Sequence, residues 1–177
     1  MVRDSRGLRA LQKKTRFGQL ERETSWRVTE YATLERLYAA GVAVPRPLAH
    51  NDNAILMEYL GDADEAAPAL NQVSLTPEEA GPLFERMLRN IGLMLEKDRI
   101  HGDLSAYNVL YWEGALKIID FPQSVDPFQN PDAYKLFERD VERICQYFAR
   151  SGIRSDPRAL ALELWDRHTL AGKELAE

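Results

Sequence analysis

The chain has a single cysteine, Cys145. No internal disulfide can form, so nothing here demands an oxidising compartment. No apolar run approaches the about 18–20 residues of a membrane-spanning helix, and the N-terminus has no hydrophobic signal core. A cytoplasmic protein is the expectation. Internal repeats and low-complexity tracts are absent. The net charge of −5 argues against general nucleic-acid binding.

What is present is an ordinary globular composition. Of 177 residues, 45% are hydrophobic and 29% charged, enough for one domain with a sizeable core. The charge is uneven. Residues 1–16 hold Arg3, Arg6, Arg9, Lys13, Lys14 and Arg16 against one acid, Asp4. This segment is either a solvated arm or a contact for phosphate or RNA.

Apolar spacing predicts a helix over 24–40, closed by Gly41, after which Pro45 and Pro47 force an extended connection. Two strands, 48–50 and 54–59, follow around a polar turn, then a loop from Gly61 to Asn71. Thr76-Pro77-Glu78-Glu79 reads as a capping box with proline at the first helical position. Pro82 predicts a separate or kinked first turn. A hairpin, 109–112 with 116–120, turns across Glu113-Gly114. One helix starts near Asp132 and is stopped by Gly152, with Cys145 on its apolar stripe. Asp156-Pro157 opens another. His50 and His168 stand alone and read as turn and helix-surface residues.

The chemistry-bearing stretch is HGDLSAYNVL, residues 101–110, followed by KIIDFPQ at 117–123. Asp103 precedes Asn108 by five residues, and a hairpin returns the chain to Asp120. The two ends of a hairpin lie side by side, so Asn108 and Asp120 converge. One carboxylate and one carboxamide suit Mg²⁺, which keeps several waters and takes substrate phosphates. Asp103 is then free to orient, or accept a proton from, an attacking hydroxyl. This is the D-x4-N loop plus metal aspartate of phosphoryl transfer.

HGDLSAYNVL with IIDFPQSVD resembles the RIO family of atypical protein kinases, and so do SWRVTEYATLERLYAAGVAVPRP and LFERDVERICQYF. The likeness covers roughly residues 20–152. The wording of DLSAYN and IDFPQ separates it from the aminoglycoside phosphotransferases, which share HGD-x4-N. The resemblance implies an α+β, protein-kinase-like fold that is mostly the helical C-terminal lobe. It divides the chain into a basic remnant of the N-terminal lobe (1–22), a helix with hinge strands (23–60) and a catalytic lobe (61–177). It implies ATP and Mg²⁺, with a protein substrate or a ribosome-associated partner.

Residue by residue, the resemblance makes Asp103 catalytic and Asn108 and Asp120 metal ligands. Asp120 is also implied as an acceptor of a phosphoryl group. Met57 matches the gatekeeper, and Glu58 to Leu60 the hinge whose backbone bonds adenine. Glu30 matches the helix glutamate that pairs with a nucleotide-binding lysine, and Asp140 a buried aspartate bracing the catalytic loop. Read on the residues alone, Glu30 also fits a solvent-facing helix position and Asp140 a surface ion pair. Ser105 stands where serine/threonine kinases usually carry lysine, in agreement with the RIO pattern. The short run from Asp120 to the next helix leaves no room for a long activation segment.

The front of the chain departs from the pattern. Before Glu30 there are only Gly7 and Gly18, and Lys13 and Lys14 lie in a segment without strand alternation. The expectation is a fragment or late start, or a degenerate member, with no appreciable kinase activity of its own. Two rival readings are a small-molecule phosphotransferase of the aminoglycoside type and a non-catalytic nucleotide-binding or scaffold module.

Overall fold

A computed structural model describes residues 29–174, with side chains to residue 169. The basic segment 1–22, with its expected phosphate or RNA contact, and the first turn of the 24–40 helix lie outside the described residues. Helix α1 covers 29–39 of them and ends as the sequence requires. Gly41 takes φ +80°. The Val42 N–H reaches the Leu37 carbonyl at 3.0 Å and the Gly41 N–H the Tyr38 carbonyl at 3.0 Å. That pair of bonds is a Schellman motif, and Leu37 and Val42 supply its buried apolar contact.

Strands β1 (Pro47–His50) and β2 (Ile55–Met57) form one antiparallel pair, shorter at its second strand than expected. The Asn51 carboxamide oxygen accepts the N–H groups of Asn53 and Ala54 at 2.8 and 2.9 Å and makes the turn. His50 is no bare turn residue, because its ring packs at a tilt against Tyr31, 4.3 Å between centroids.

Helix α2 (Pro77–Glu96) starts with both bonds of the capping box, Glu79 N–H to Thr76 Oγ1 and Thr76 N–H to Glu79 Oε2. The expected break at Pro82 is absent and the helix is continuous. Pro82 and Glu78 are exposed, so water can satisfy the Glu78 carbonyl that the proline leaves without a partner, and Gly81 offers the ring no Cβ to strike.

Strands β3 (Val109–Trp112) and β4 (Ala115–Ile118) pair from Val109↔Ile118 to Trp112↔Ala115. Glu113 and Gly114 take φ +46° and +77°, the two left-handed residues of a two-residue hairpin turn. β4 stops short of Asp120. Helix α3 (Ala133–Ala149) buries Phe137, Val141, Ile144, Cys145 and Phe148 along one stripe. Burial pushes the Cys145 thiol pKa up, as befits a core residue. Asp156 caps helix α4 (Pro157–Glu174) by accepting the N–H groups of Arg158 and Ala159. Trp165 of α4 meets Tyr134 and Phe137 of α3 at 5.1 and 5.7 Å between ring centroids.

His168 departs from the sequence reading of a helix-surface residue. Its side chain is 9% exposed, 3.8 Å from Asp98 and 5.4 Å from the Phe128 ring. It lines a cavity of about 1000 Å³ between α2 and α4 that contains none of the expected site residues. Among the described residues no helix is long and apolar enough to cross a membrane.

Candidate active site

The site is a loop held at several points. Ile100 exchanges both backbone bonds with Val125, at 3.0 and 2.9 Å. The segment leading to Asp103 therefore lies beside the one leaving Asp120. Gly102 sits in the seam with φ +81°, where a Cβ would come within 2.4 Å of the Gln123 carbonyl oxygen. Only glycine fits a left-handed position so close to another backbone.

His101 is buried and works as a structural wedge. Its Nε2 donates to the Ile119 carbonyl at 3.0 Å, and its ring lies 4.8 Å from Phe121. Nδ1 is then an acceptor and faces the Asp103 N–H at 3.4 Å. Burial lowers the imidazole pKa against the pull of the Ile119 carbonyl, Asp120 and Asp103, which keeps the ring neutral as this pairing needs.

Helix α3 grips the loop from below. Asp140, 2% exposed, accepts the Gly102 N–H at 2.7 Å and the Leu104 N–H at 3.0 Å. It is a buried brace, not a surface ion pair. Burial pushes its pKa up to about 6, against those two N–H groups and the nearby Arg139 and Arg143. Arg139 donates to the Gly102 carbonyl. Arg143 Nη1 donates to Asp103 Oδ1 at 2.7 Å, and the Asp103 side chain remains half exposed. Neither arginine was singled out from the sequence. A signal was available: they flank Asp140 at −1 and +3, and the +3 position shares its helical face.

Asn108 links the two carboxylate loops. Its Nδ2 donates to the Asp103 carbonyl at 3.0 Å, and its own carbonyl accepts the Ile119 N–H at 3.0 Å. Ser105 shapes the turn between them, taking the Asn108 N–H on its carbonyl and the Tyr107 N–H on its hydroxyl. Asp120 follows directly, exposed and at φ +71°. A non-glycine residue in that region is strained and marks a constrained position.

Among the described residues no three His, Cys, Asp or Glu side chains come together as a metal cluster. The expected set does not need such a trio. With Nδ2 committed, the Asn108 carboxamide turns its oxygen to other partners, and Asp120 offers an exposed carboxylate. Two hard oxygen donors, completed by water and phosphate, fit Mg²⁺.

The remaining expected residues lie on other elements. Met57 ends β2, half-buried. The Glu58 N–H donates to the Arg46 carbonyl at 2.8 Å, and Glu58 Oε2 accepts the Arg46 N–H at 3.0 Å with Lys117 Nζ 3.6 Å away. That backbone bond is the main reason the Glu58 carboxyl pKa is lowered. Lys117 also donates to the Val44 carbonyl at 3.2 Å, which ties the second hairpin to the connection between α1 and β1. The Leu60 carbonyl accepts the Ala67 N–H. Glu30 lies half-buried on α1.

Helices α2 and α3, with a strand-containing region before them, make an α+β domain that matches a kinase-like domain. Comparison with known proteins gives the family. The RIO domain model matches residues 2–160. The chain is 36% identical over 143 residues to the RIO-type serine/threonine-protein kinase Rio1 of Haloferax volcanii, covering 78% of this chain and 46% of that protein. It is 31% identical over 132 residues to the Rio1 kinase of Thermoplasma acidophilum, covering 75% and 68%. Against human serine/threonine-protein kinase RIO1 it is 30% identical over 130 residues, covering 73% and 23%. The chain belongs to the RIO family. It spans less than half the length of the Haloferax and human relatives.

Proposed function

We propose that this protein, on a protein-kinase-like fold, transfers a phosphoryl group from Mg·ATP to a serine or threonine hydroxyl. The observation that carries this reading is the double commitment of Asn108, whose side chain bonds the Asp103 carbonyl and whose backbone bonds Ile119. One residue thereby fixes the spacing between the Asp103 and Asp120 loops.

Arg143 occupies Oδ1 of Asp103, which leaves Oδ2 to accept the hydrogen bond of the attacking hydroxyl. Asp103 orients that hydroxyl and takes its proton as the new O–P bond forms. The Asn108 oxygen and the Asp120 carboxylate would hold Mg²⁺, which when bound would supply positive charge against the phosphate oxygens. With the Glu58 N–H already engaged, adenine is left to the other backbone groups between Met57 and Leu60. The family resemblance also makes Asp120 itself a phosphoryl acceptor. In that mode its carboxylate attacks the γ-phosphorus, ADP leaves, and water later cleaves the acyl phosphate, giving net ATP hydrolysis.

For the 177-residue chain we expect no appreciable transfer, because its sequence has no G-x-G motif and no lysine within strand-like alternation before Glu30. Binding is therefore the first test. Calorimetry with Mg-ADP is expected to give a saturable heat for the unaltered chain and none for Asp120→Ala. Equal heats from both would overturn the metal assignment and favour a different nucleotide contact.

A further inference from the structure

Beside the site lies a polar cavity of about 480 Å³ that Asp103 shares but Asp120 does not line. Its floor is the turn 105–108. Its walls are α3, through Arg143 and Gln146, the C-cap residue Arg150, and Asn71 from the 3-10 turn Leu70–Gln72. We propose that this cavity seats the acceptor and selects an acidic peptide, one whose hydroxyl residue is flanked by carboxylates. The proposal rests on the phosphoryl-transfer reading, since it takes Asp103 as the group that meets the hydroxyl.

Three features point to that chemistry. The first is charge. Arg143 lies on α3 and Arg150 is its C-cap residue, still in helical conformation, so their seven-residue spacing, two turns, brings both to the same face. Against them the cavity wall holds one carboxylate, Asp103, leaving a net positive site in a chain of net charge −5. The second is how that charge is committed. Arg143 meets Asp103 through Nη1, which leaves the rest of its fork of donors unassigned. Arg150 is exposed and makes no side-chain ion pair among the described residues. The third is Asn71. Its Oδ1 is buried in the wall with no hydrogen-bond partner among the described residues. A buried acceptor without a donor is costly, and the N–H of a peptide passing through the cavity would supply one.

The cavity size is that of a site for a few side chains rather than a whole domain. Arg143 has a further consequence. An acidic peptide approaching a bare Asp103 would be repelled by it. Paired with Arg143, Asp103 presents little net charge while keeping one oxygen for the hydroxyl. A lysine- or arginine-rich acceptor meets the opposite field and is rejected.

The test reads binding without nucleotide, so it can fail while the Mg-ADP experiment succeeds, and the reverse. A short fluorescein-labelled peptide with a central serine and glutamate flanks is titrated with the 177-residue chain at low salt and followed by anisotropy. Glutamine- and lysine-flanked versions are run alongside. The expected result is that the glutamate peptide binds roughly tenfold or more tighter than the glutamine peptide, with no saturation for the lysine peptide. Arg150→Gln should weaken binding about threefold to fivefold, as loss of one exposed ionic contact does. Arg143→Gln with Arg150→Gln should remove the preference for glutamate. Arg150 is exposed and its side chain makes no hydrogen bond or ion pair to the loop among the described residues, so its variant is expected to fold and to keep the heat of Mg-ADP binding. Equal affinity for glutamate and glutamine peptides would overturn the proposal, and so would an unchanged preference in the double variant, which would place the acidic contact elsewhere. Displacement of the peptide by single-stranded RNA through the same two arginines would also overturn it, in favour of a nucleic-acid surface.

Discussion

Replacing Asp140 by asparagine separates two contributions of one buried carboxylate. Asp140 accepts from the Gly102 and Leu104 N–H groups at 2.7 and 3.0 Å. Asparagine keeps one acceptor oxygen and turns an NH₂ toward the other N–H. One charge-assisted bond is lost and a buried donor is left without a partner, a cost of about 2–4 kcal/mol near neutral pH. Ionisation works in the other direction. Burial raises the folded-state pKa from the usual 3.8 to about 6, which corresponds to about 3 kcal/mol in favour of the protonated form. Because the folded value lies above the unfolded one, the folded chain binds this proton more readily. The stability it contributes is complete below about pH 3.8 and is lost as pH rises through about 6. Asparagine has no such titration. The stability gap between wild type and Asp140→Asn should therefore widen on acidification, by about 2 kcal/mol between pH 7 and 4.5. Urea unfolding of both proteins across that range measures the gap directly. A gap that stays flat would refute the reasoning. A gap that narrows would mean that the two N–H groups and the arginines hold Asp140 ionised more strongly than burial opposes them.

Three further outcomes are expected. Gly102→Ala combines a left-handed φ of +81° with a Cβ 2.4 Å from the Gln123 carbonyl oxygen. It should lower the unfolding free energy by more than about 2 kcal/mol, read as a drop in urea midpoint. Asp120→Gly relieves the strain at φ +71°, so stability should hold or rise by up to about 1 kcal/mol while the heat of Mg-ADP binding disappears; a clear loss of stability would mean that the carboxylate has a structural role. In any RIO-family form active in transfer, the equivalent of Asp103→Asn should lower the turnover number on the order of 10²–10⁴ with nucleotide affinity kept, since the residue acts on the attacking hydroxyl. Steady-state kinetics with a parallel nucleotide titration would separate the two.

Features set by neighbouring residues were legible in the sequence. Gly41, Thr76 with Glu79, Glu113-Gly114 and Asp156 all do what their local chemistry requires. The approach of Asn108 to the segment leading to Asp120 was legible for the same reason, because a short hairpin brings its ends together whatever surrounds it. Features that depend on where a distant element docks were hidden. Pro82 is tolerated because its side of α2 faces water, which the order of residues does not state. His168 is half-buried beside Asp98 and Phe128, 70 and 40 residues earlier in the chain. The grip of Arg139 and Arg143 on the loop exists only once α3 lies beneath residues 101–104.

That dependence links the site to the core. Along α3, Phe137, Val141, Ile144 and Phe148 face the interior, and Asp140, Arg139 and Arg143 turn to the 101–104 loop. The apolar stripe fixes the helix in height and rotation, and the polar residues convert that fixed position into the placement of Asp103. A core substitution such as Ile144→Val, which removes one methylene, would cost about 0.5–1.5 kcal/mol of stability. Its effect on the site would be out of proportion to that cost if it let α3 rotate, because Asp140 touches two backbone N–H groups whose bonds tolerate only small displacements. Asp103 is thus held both by its own loop, through Asn108, and by the hydrophobic packing that fixes α3 beneath it.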